Sequence, residues 1–174
     1  NPSCIPTPFE KLTRCGGPKR GMVSILTGRT KSGKSILKTF WMKFLALKGY
    51  KGVDFCFEDG WKISKGRMAS ISRYSFSELE NGGRYVLERG KWQWWKVRDE
   101  TIEKEKLALK EISELPIWFY DKKITIEKLH DIVRYYKRKH KIDYIFVDGA
   151  KDMKRPRGKY NDCGFEEEIS QKMT

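Results

Sequence analysis

The chain has 174 residues, 39% of them hydrophobic and 34% charged, which suits one domain with its own apolar core. Its 37 basic residues outnumber 23 acidic ones, giving a net charge of +14 that favours polyanionic partners through counterion release. No run approaches the roughly eighteen apolar residues of a membrane span, so no membrane partner is expected.

The chain opens on Asn1-Pro2-Ser3-Cys4, without an initiator Met or a secretory leader, and reads as a piece internal to a longer polypeptide. Cys4, Cys15, Cys56 and Cys163 show no metal-ligand spacing, and Cys56 sits inside an apolar run. A reducing cytoplasm or nucleoid is the expected location.

Short β-rich runs alternate with longer helical patterns, which predicts an α/β fold with a mostly parallel sheet covered by helices. Residues 23–26 read as the first strand. Residues 34–48 follow as a helix carrying Leu37, Trp41, Phe44 and Leu45 on one face. Gly49 and Gly52 end that helix and open a strand over residues 53–57. A helix is predicted over 61–72. Residues 84–88 and 92–97 flank Arg89-Gly90-Lys91 as a β-hairpin inserted in the core.

A helix over 99–115 places Ala108, Ile112 and Leu115 inward, and Pro116 stops it before a strand over 117–120. Thr125 caps the next helix, whose Ile126, Leu129, Val133 and Tyr136 share a stripe. Residues 144–147 are continuously apolar, as expected of a central strand covered on both faces. A basic loop over 154–159 and a helix starting near Phe165 complete the chain. His130 and His140 read as surface residues of the penultimate helix.

One motif carries chemistry. Gly28-Arg29-Thr30-Lys31-Ser32-Gly33-Lys34-Ser35 fits G-x-x-x-x-G-K-[ST] at every fixed position. A glycine-rich loop turns successive backbone amides inward around a phosphate, and the helix that follows adds its positive end. Residues 28 to 36, ending with Ile36, therefore form the expected nucleotide cradle. Lys34 is expected on the β- and γ-phosphates, and the Ser35 hydroxyl on Mg²⁺. A carboxylate closing a nearby strand usually completes the ion's environment, which nominates Asp148. A group must also orient and deprotonate the attacking water. Glu58, at the end of the second strand, is the favoured base, with the adjacent Asp59 as the alternative.

With these pieces in order, the chain resembles the ATPase domain of DnaB-type replicative DNA helicases, the hexameric RecA-like motors of superfamily four. The resemblance runs from Ile5-Pro6-Thr7-Pro8-Phe9 through Leu12, Gly16-Gly17 and Gly21 into the phosphate loop. It resumes at Phe55-Cys56-Phe57-Glu58, at Leu115-Pro116-Ile117-Trp118-Phe119-Tyr120-Asp121, at Thr125-Ile126-Glu127 and at Glu167-Glu168-Ile169-Ser170. Three departures stand out: Pro8 where the family has glycine, no aspartate after Leu12, and Gly149-Ala150-Lys151 where the family has an apolar pair and glutamine. Lys151 reads either as a charged sensor or as a surface lysine.

The resemblance implies a RecA-like P-loop NTPase core using ATP and Mg²⁺, with Lys34 and Glu58 catalytic and Ser35 and Asp148 on the metal. It implies a truncated domain over 1–174, with a lead-in at 1–21 and a phosphate-loop half at 22–83. The hairpin insertion follows at 84–98, and the half bearing Asp148 at 99–174. The final strand, arginine finger and DNA loops would lie beyond Thr174. Implied partners are identical subunits in a homo-hexamer and single-stranded DNA in its ring, with slow hydrolysis by this piece alone. Lys154, Arg155, Arg157 and Lys159 are candidate DNA contacts. Trp92, Trp94 and Trp95 among Lys91 and Lys96 suit either base stacking or packing against the core or a partner. Two other readings remain open: a RecA- or clock-type ATPase without unwinding, and a nucleotide-dependent loader or binding module.

Overall fold

The computed structural model describes residues 4–69, 78 and 81–154. The expected helix near Phe165, and Arg155, Arg157 and Lys159 of the basic loop, lie outside the described residues. The chain divides into two compact units, one formed by Asn1–Trp61 with Pro116–Thr174 and the other by Lys62–Leu115.

In chain order the first unit holds α1 (Glu10–Arg14), α2 (Lys34–Leu47) and β1 (Gly52–Cys56). Helix α3 (Gly60–Ala69) crosses into the second unit, which carries β2 (Gly83–Glu88), β3 (Lys91–Lys96) and α4 (Asp99–Glu114). The chain then returns to the first unit with β4 (Ile117–Tyr120), α5 (Ile126–His140), β5 (Tyr144–Asp148) and a 3-10 turn (Ala150–Asp152). The architecture is α/β, compatible with a Rossmann- or RecA-like core.

The first unit is built on a parallel sheet of order β4-β1-β5. Strand β1 is central, and all five of its residues are buried. This corrects the expectation that residues 144–147 are the central strand: β5 pairs on one side only among the described residues, and most of it is half-buried. Unbroken apolarity marks burial on both faces, which an edge strand under helices also has.

Side chains alternate across β1 with the period of a strand. Val53 and Phe55, with Phe57 just beyond, pack on one face against Ile126 and Leu129 of α5, joined by Ile124, Ile142 and Met153. On the other face Asp54 meets Lys38 of α2. There too the Tyr144 hydroxyl donates to the Met42 carbonyl at 3.4 Å, and Trp41 sits edge-on to Phe146 at 5.8 Å. Helices therefore cover both faces of this sheet. Gly52 has a packing reason: a Cβ there would come within 2.2 Å of the Tyr144 ring, so the missing side chain is the seat of that ring.

The inner face of α2 is Lys38, Thr39, Met42, Leu45 and Ala46. The predicted stripe is rotated, with Leu37, Trp41 and Phe44 only half-buried at its margin. Helix α5 starts as expected, with the Thr125 hydroxyl accepting from the Lys128 amide at 3.5 Å.

Residues 23–26, expected as the first strand, form no ladder among the described residues. Met22, Ile25 and Leu26 are 67%, 71% and 51% exposed. β-propensity expresses packing against neighbours more than a backbone preference, and this segment has no paired neighbour.

In the second unit β2 and β3 form the expected antiparallel hairpin, with Arg84 opposite Trp95, Tyr85 opposite Trp94 and Leu87 opposite Trp92. Arg89 and Gly90 make the turn at φ 49° and 76°, the left-handed pair that a two-residue turn matched to strand twist demands. The Val97 amide then bonds the Gly82 carbonyl at 2.8 Å, closing the base of the hairpin. Helix α4 buries Glu105, Ala108 and Ile112, and its exposed side carries Glu100–Lys104 and Glu103–Lys106 ion pairs. Asp99 and Glu100 in its first turn suit the positive end of the helix.

Candidate nucleotide site

In a parallel sheet all strands end at the same edge, and the residues that follow them converge there. The register aligns Cys56 of β1 with Asp148 of β5, and Phe55 with Tyr120 of β4. Glu58, Asp121 and Asp148 thus gather at the carboxyl edge of the first unit's sheet. The Phe57 amide donates to the Asp148 carbonyl at 3.0 Å, carrying the pairing one step past β1.

Gly149 makes that junction tight. It has φ 77°, and a Cβ on it would lie 2.9 Å from both Cβ and the backbone nitrogen of Glu58 and 3.1 Å from the Asp152 carboxylate. The sequence Gly149-Ala150-Lys151 therefore does two local jobs. Gly149 lets the chain turn against Glu58, and the 3-10 turn brings the Lys151 ammonium to 3.9 Å from the Glu58 carboxylate. Both side chains are half or more exposed, so this pair contributes little to stability. It does set a positive charge beside the candidate base. Across the same turn Lys123 reaches Asp152 at 3.5 Å.

Residues 28–35 lead into α2. Gly33 is the N-cap at φ 88°, no side chain caps the helix, and its first turn has no acidic residue. The first amides of any helix lack intrahelical acceptors, so this start presents donors and a positive dipole end with no acid in its own first turn. Lys34 folds back over its own loop, its ammonium donating to the carbonyls of Gly28 at 2.9 Å and Arg29 at 2.8 Å. Ser32 lies over Gly28, where a Cβ would meet the Ser32 hydroxyl at 2.9 Å. Ser35 is half-buried, while Arg29, Thr30, Lys31, Ser32 and Ile36 are exposed.

One feature of the site escaped sequence reasoning. Three residues beyond Ser35, Lys38 is buried, and its ammonium lies 3.0 Å from one Asp54 oxygen and 3.2 Å from the other. The same ammonium is 3.1 Å from Oδ2 of Asp148. Asp54 is fully buried, whereas the Asp148 side chain is 19% exposed. The start of α2 is therefore bound by charge to the carboxyl end of β5, with Asp148 oriented through one oxygen. The signal was present: an acid inside the apolar run 53–57, and a lysine one turn into a helix that must cover it.

Burial also shifts two groups near Asp54, Cys56 at this edge and Tyr144 at the opposite end of β5. Desolvation, then the Asp54 charge, pushes the Cys56 thiol up to about 12, so it stays protonated and packs as a small apolar group. Burial, then Asp54, likewise raises the Tyr144 phenol above its usual value.

Among the described residues no three His, Cys, Asp or Glu side chains cluster as a metal site. His130 is exposed as expected. His140 is half-buried, its ring 4.3 Å from that of Trp118. Lys154 is exposed, with its amide on the Ile124 carbonyl at 2.9 Å. No helix of the described residues is long and apolar enough to cross a membrane. No family model matches the chain, and no curated protein matches it.

Proposed function

We infer that the first unit binds the triphosphate of ATP with Mg²⁺ and hydrolyses it, as the nucleotide-binding part of a RecA-like, DnaB-type DNA helicase motor. The observation that carries this reading is the loop 28–35. It fits the phosphate-loop pattern at every fixed position, opens an uncapped helix and holds the Lys34 ammonium over its own carbonyls. An ammonium parked on neutral carbonyls gains by moving to phosphate oxygens, since a charge-assisted bond is about twice as strong.

On this reading Lys34 and the first amides of α2 neutralise the terminal phosphates, and the Ser35 hydroxyl and Asp148 hold Mg²⁺. When bound, that ion withdraws charge from the phosphate oxygens. Lys38 keeps Asp148 aimed by holding one of its two oxygens. Glu58, at the same sheet edge and half exposed, accepts a proton from the attacking water, with the Lys151 ammonium 3.9 Å away. Helicase action in DNA replication, a homo-hexameric ring and bound single-stranded DNA are part of the same proposal and rest on the resemblance.

Equilibrium binding of a fluorescent ATP analogue tests the site directly. Lys34→Ala should weaken Mg²⁺-dependent binding at least tenfold while leaving the unfolding midpoint almost unchanged. Asp148→Asn should weaken binding in Mg²⁺ and change it little in EDTA. Equal affinity for wild type and Lys34→Ala would end the reading. Strand displacement by the full-length protein then separates a motor from an ATPase that does not unwind.

A further inference from the structure

We propose that the hairpin of the second unit is a platform for single-stranded nucleic acid, with Trp92 and Trp94 stacking on bases and the cations around them holding the backbone. This deepens the nucleic-acid half of the function inferred above, and assigns it to residues outside the nucleotide site.

Every residue of β3 is exposed. Alternation puts Trp92 and Trp94 on one face with their cross-strand partners Leu87 and Tyr85, and all four side chains are open to solvent, at 69%, 46%, 56% and 67%. A contiguous exposed face of two tryptophans, a tyrosine and a leucine costs solubility and calls for a partner. The rings are also pre-set: Tyr85 and Trp94 meet edge-on at 4.9 Å, and the turn fixes the register. Rings already ordered lose little entropy on binding.

Spacing and charge favour a nucleic-acid strand as the occupant. Alternate residues of a strand lie about 6.8 Å apart, which leaves room between two rings for one base of about 3.4 Å thickness. Lys96 shares the aromatic face, Arg89 and Lys91 lie at the tip beside Trp92, and Arg84 lies on the opposite face with Trp95, against Glu88 alone among the acids of the hairpin. Arg84 and Lys96 are tied to Glu78 and Asp99, whereas Arg89 and Lys91 at the tip have no ion-pair partner among the described residues. The contrast with α4 is plain, since there Lys104 and Lys106 are each matched by a glutamate. Aromatics over a basic rim match a polyanion whose bases are unstacked, and base stacking is tolerant of sequence.

The experiment uses the full 174-residue chain and a fluorescein-labelled mixed-sequence single strand in an anisotropy titration without nucleotide. Trp92→Leu/Trp94→Leu should weaken binding about ten- to a hundredfold, because leucine keeps the apolar contact and removes the stacking face. Trp92→Phe/Trp94→Phe should recover most of the loss. Arg89→Ser/Lys91→Ser should lower the slope of log affinity against log salt by about 1.4. Lys34→Ala should leave strand binding unchanged, and the Trp variants should leave ATP-analogue binding unchanged, so failure of either reading is seen separately. Wild-type affinity in the leucine variant overturns the proposal. So does tryptophan quenching by vesicles of phosphatidylcholine and phosphatidylglycerol without strand binding, or self-association that the leucine variant abolishes.

Discussion

The two sheets use much the same residues to opposite ends. Strand β1 of the parallel sheet places Val53 and Phe55 where both are wholly inaccessible, between helices on either side. Strand β3 of the antiparallel hairpin carries three tryptophans, each at least 46% exposed. Both segments are rich in residues that favour strands, so propensity separates neither. The difference lies in what each strand is covered by. A strand sheltered on both faces reports on folding, and a bare strand of aromatics reports on what the protein touches.

The sharpest way to break that comparison is at the charge buried under β1. Lys38→Met removes the ammonium that Asp54 and Asp148 share, leaving the fully buried Asp54 carboxylate beside that of Asp148 with no cation between them. The expected cost is about 3–5 kcal/mol, the usual penalty for breaking a buried ion pair from one side. Urea unfolding should show a lowered midpoint with an unchanged slope, and a loss below about 1 kcal/mol would mean that water reaches the trio.

A smaller effect is expected at Gly52. Its replacement by alanine drives a methyl group into the Tyr144 ring and should cost about 1–3 kcal/mol as overpacking. The double change Gly52→Ala/Tyr144→Leu should recover much of this, and equal losses in single and double variants would contradict the ring-seat account. The smallest effect belongs to the bare sheet. Trp92→Ala should move stability by no more than about 0.5 kcal/mol, because the side chain is already largely in water. A loss as large as that at Gly52 would place Trp92 in the folding core rather than on an interaction surface.

Much of the fold was legible. Pro116 and the apolar quartet after it fix the strand 117–120, and Thr125 fixes the start of α5, because each boundary is a local steric or hydrogen-bonding event. The hairpin followed from its turn residues for the same reason. What was misread depended on distant partners. Strand potential over residues 23–26 needed a neighbour to become a strand, and the central position in the sheet went to β1 rather than β5. The inner face of α2 turned toward Lys38 because Asp54 waits beneath it, and a search for apolar periodicity passes over a lysine. Of the candidate site, the loop 28–35 and the edge acids Glu58 and Asp148 could be read from motif and strand ends. The Lys38 bridge and the contact of Lys151 with Glu58 arise from tertiary packing, which no local pattern encodes.

The crowding at Gly149 has a mechanical consequence. The tip of β5 and the first residue past Phe57 touch backbone to backbone, with no side chain between them to absorb a displacement. The main chain at Asp148 and at Glu58 is thereby held close together at the sheet edge. A bulkier residue at 149 would press against Glu58 and spread that junction.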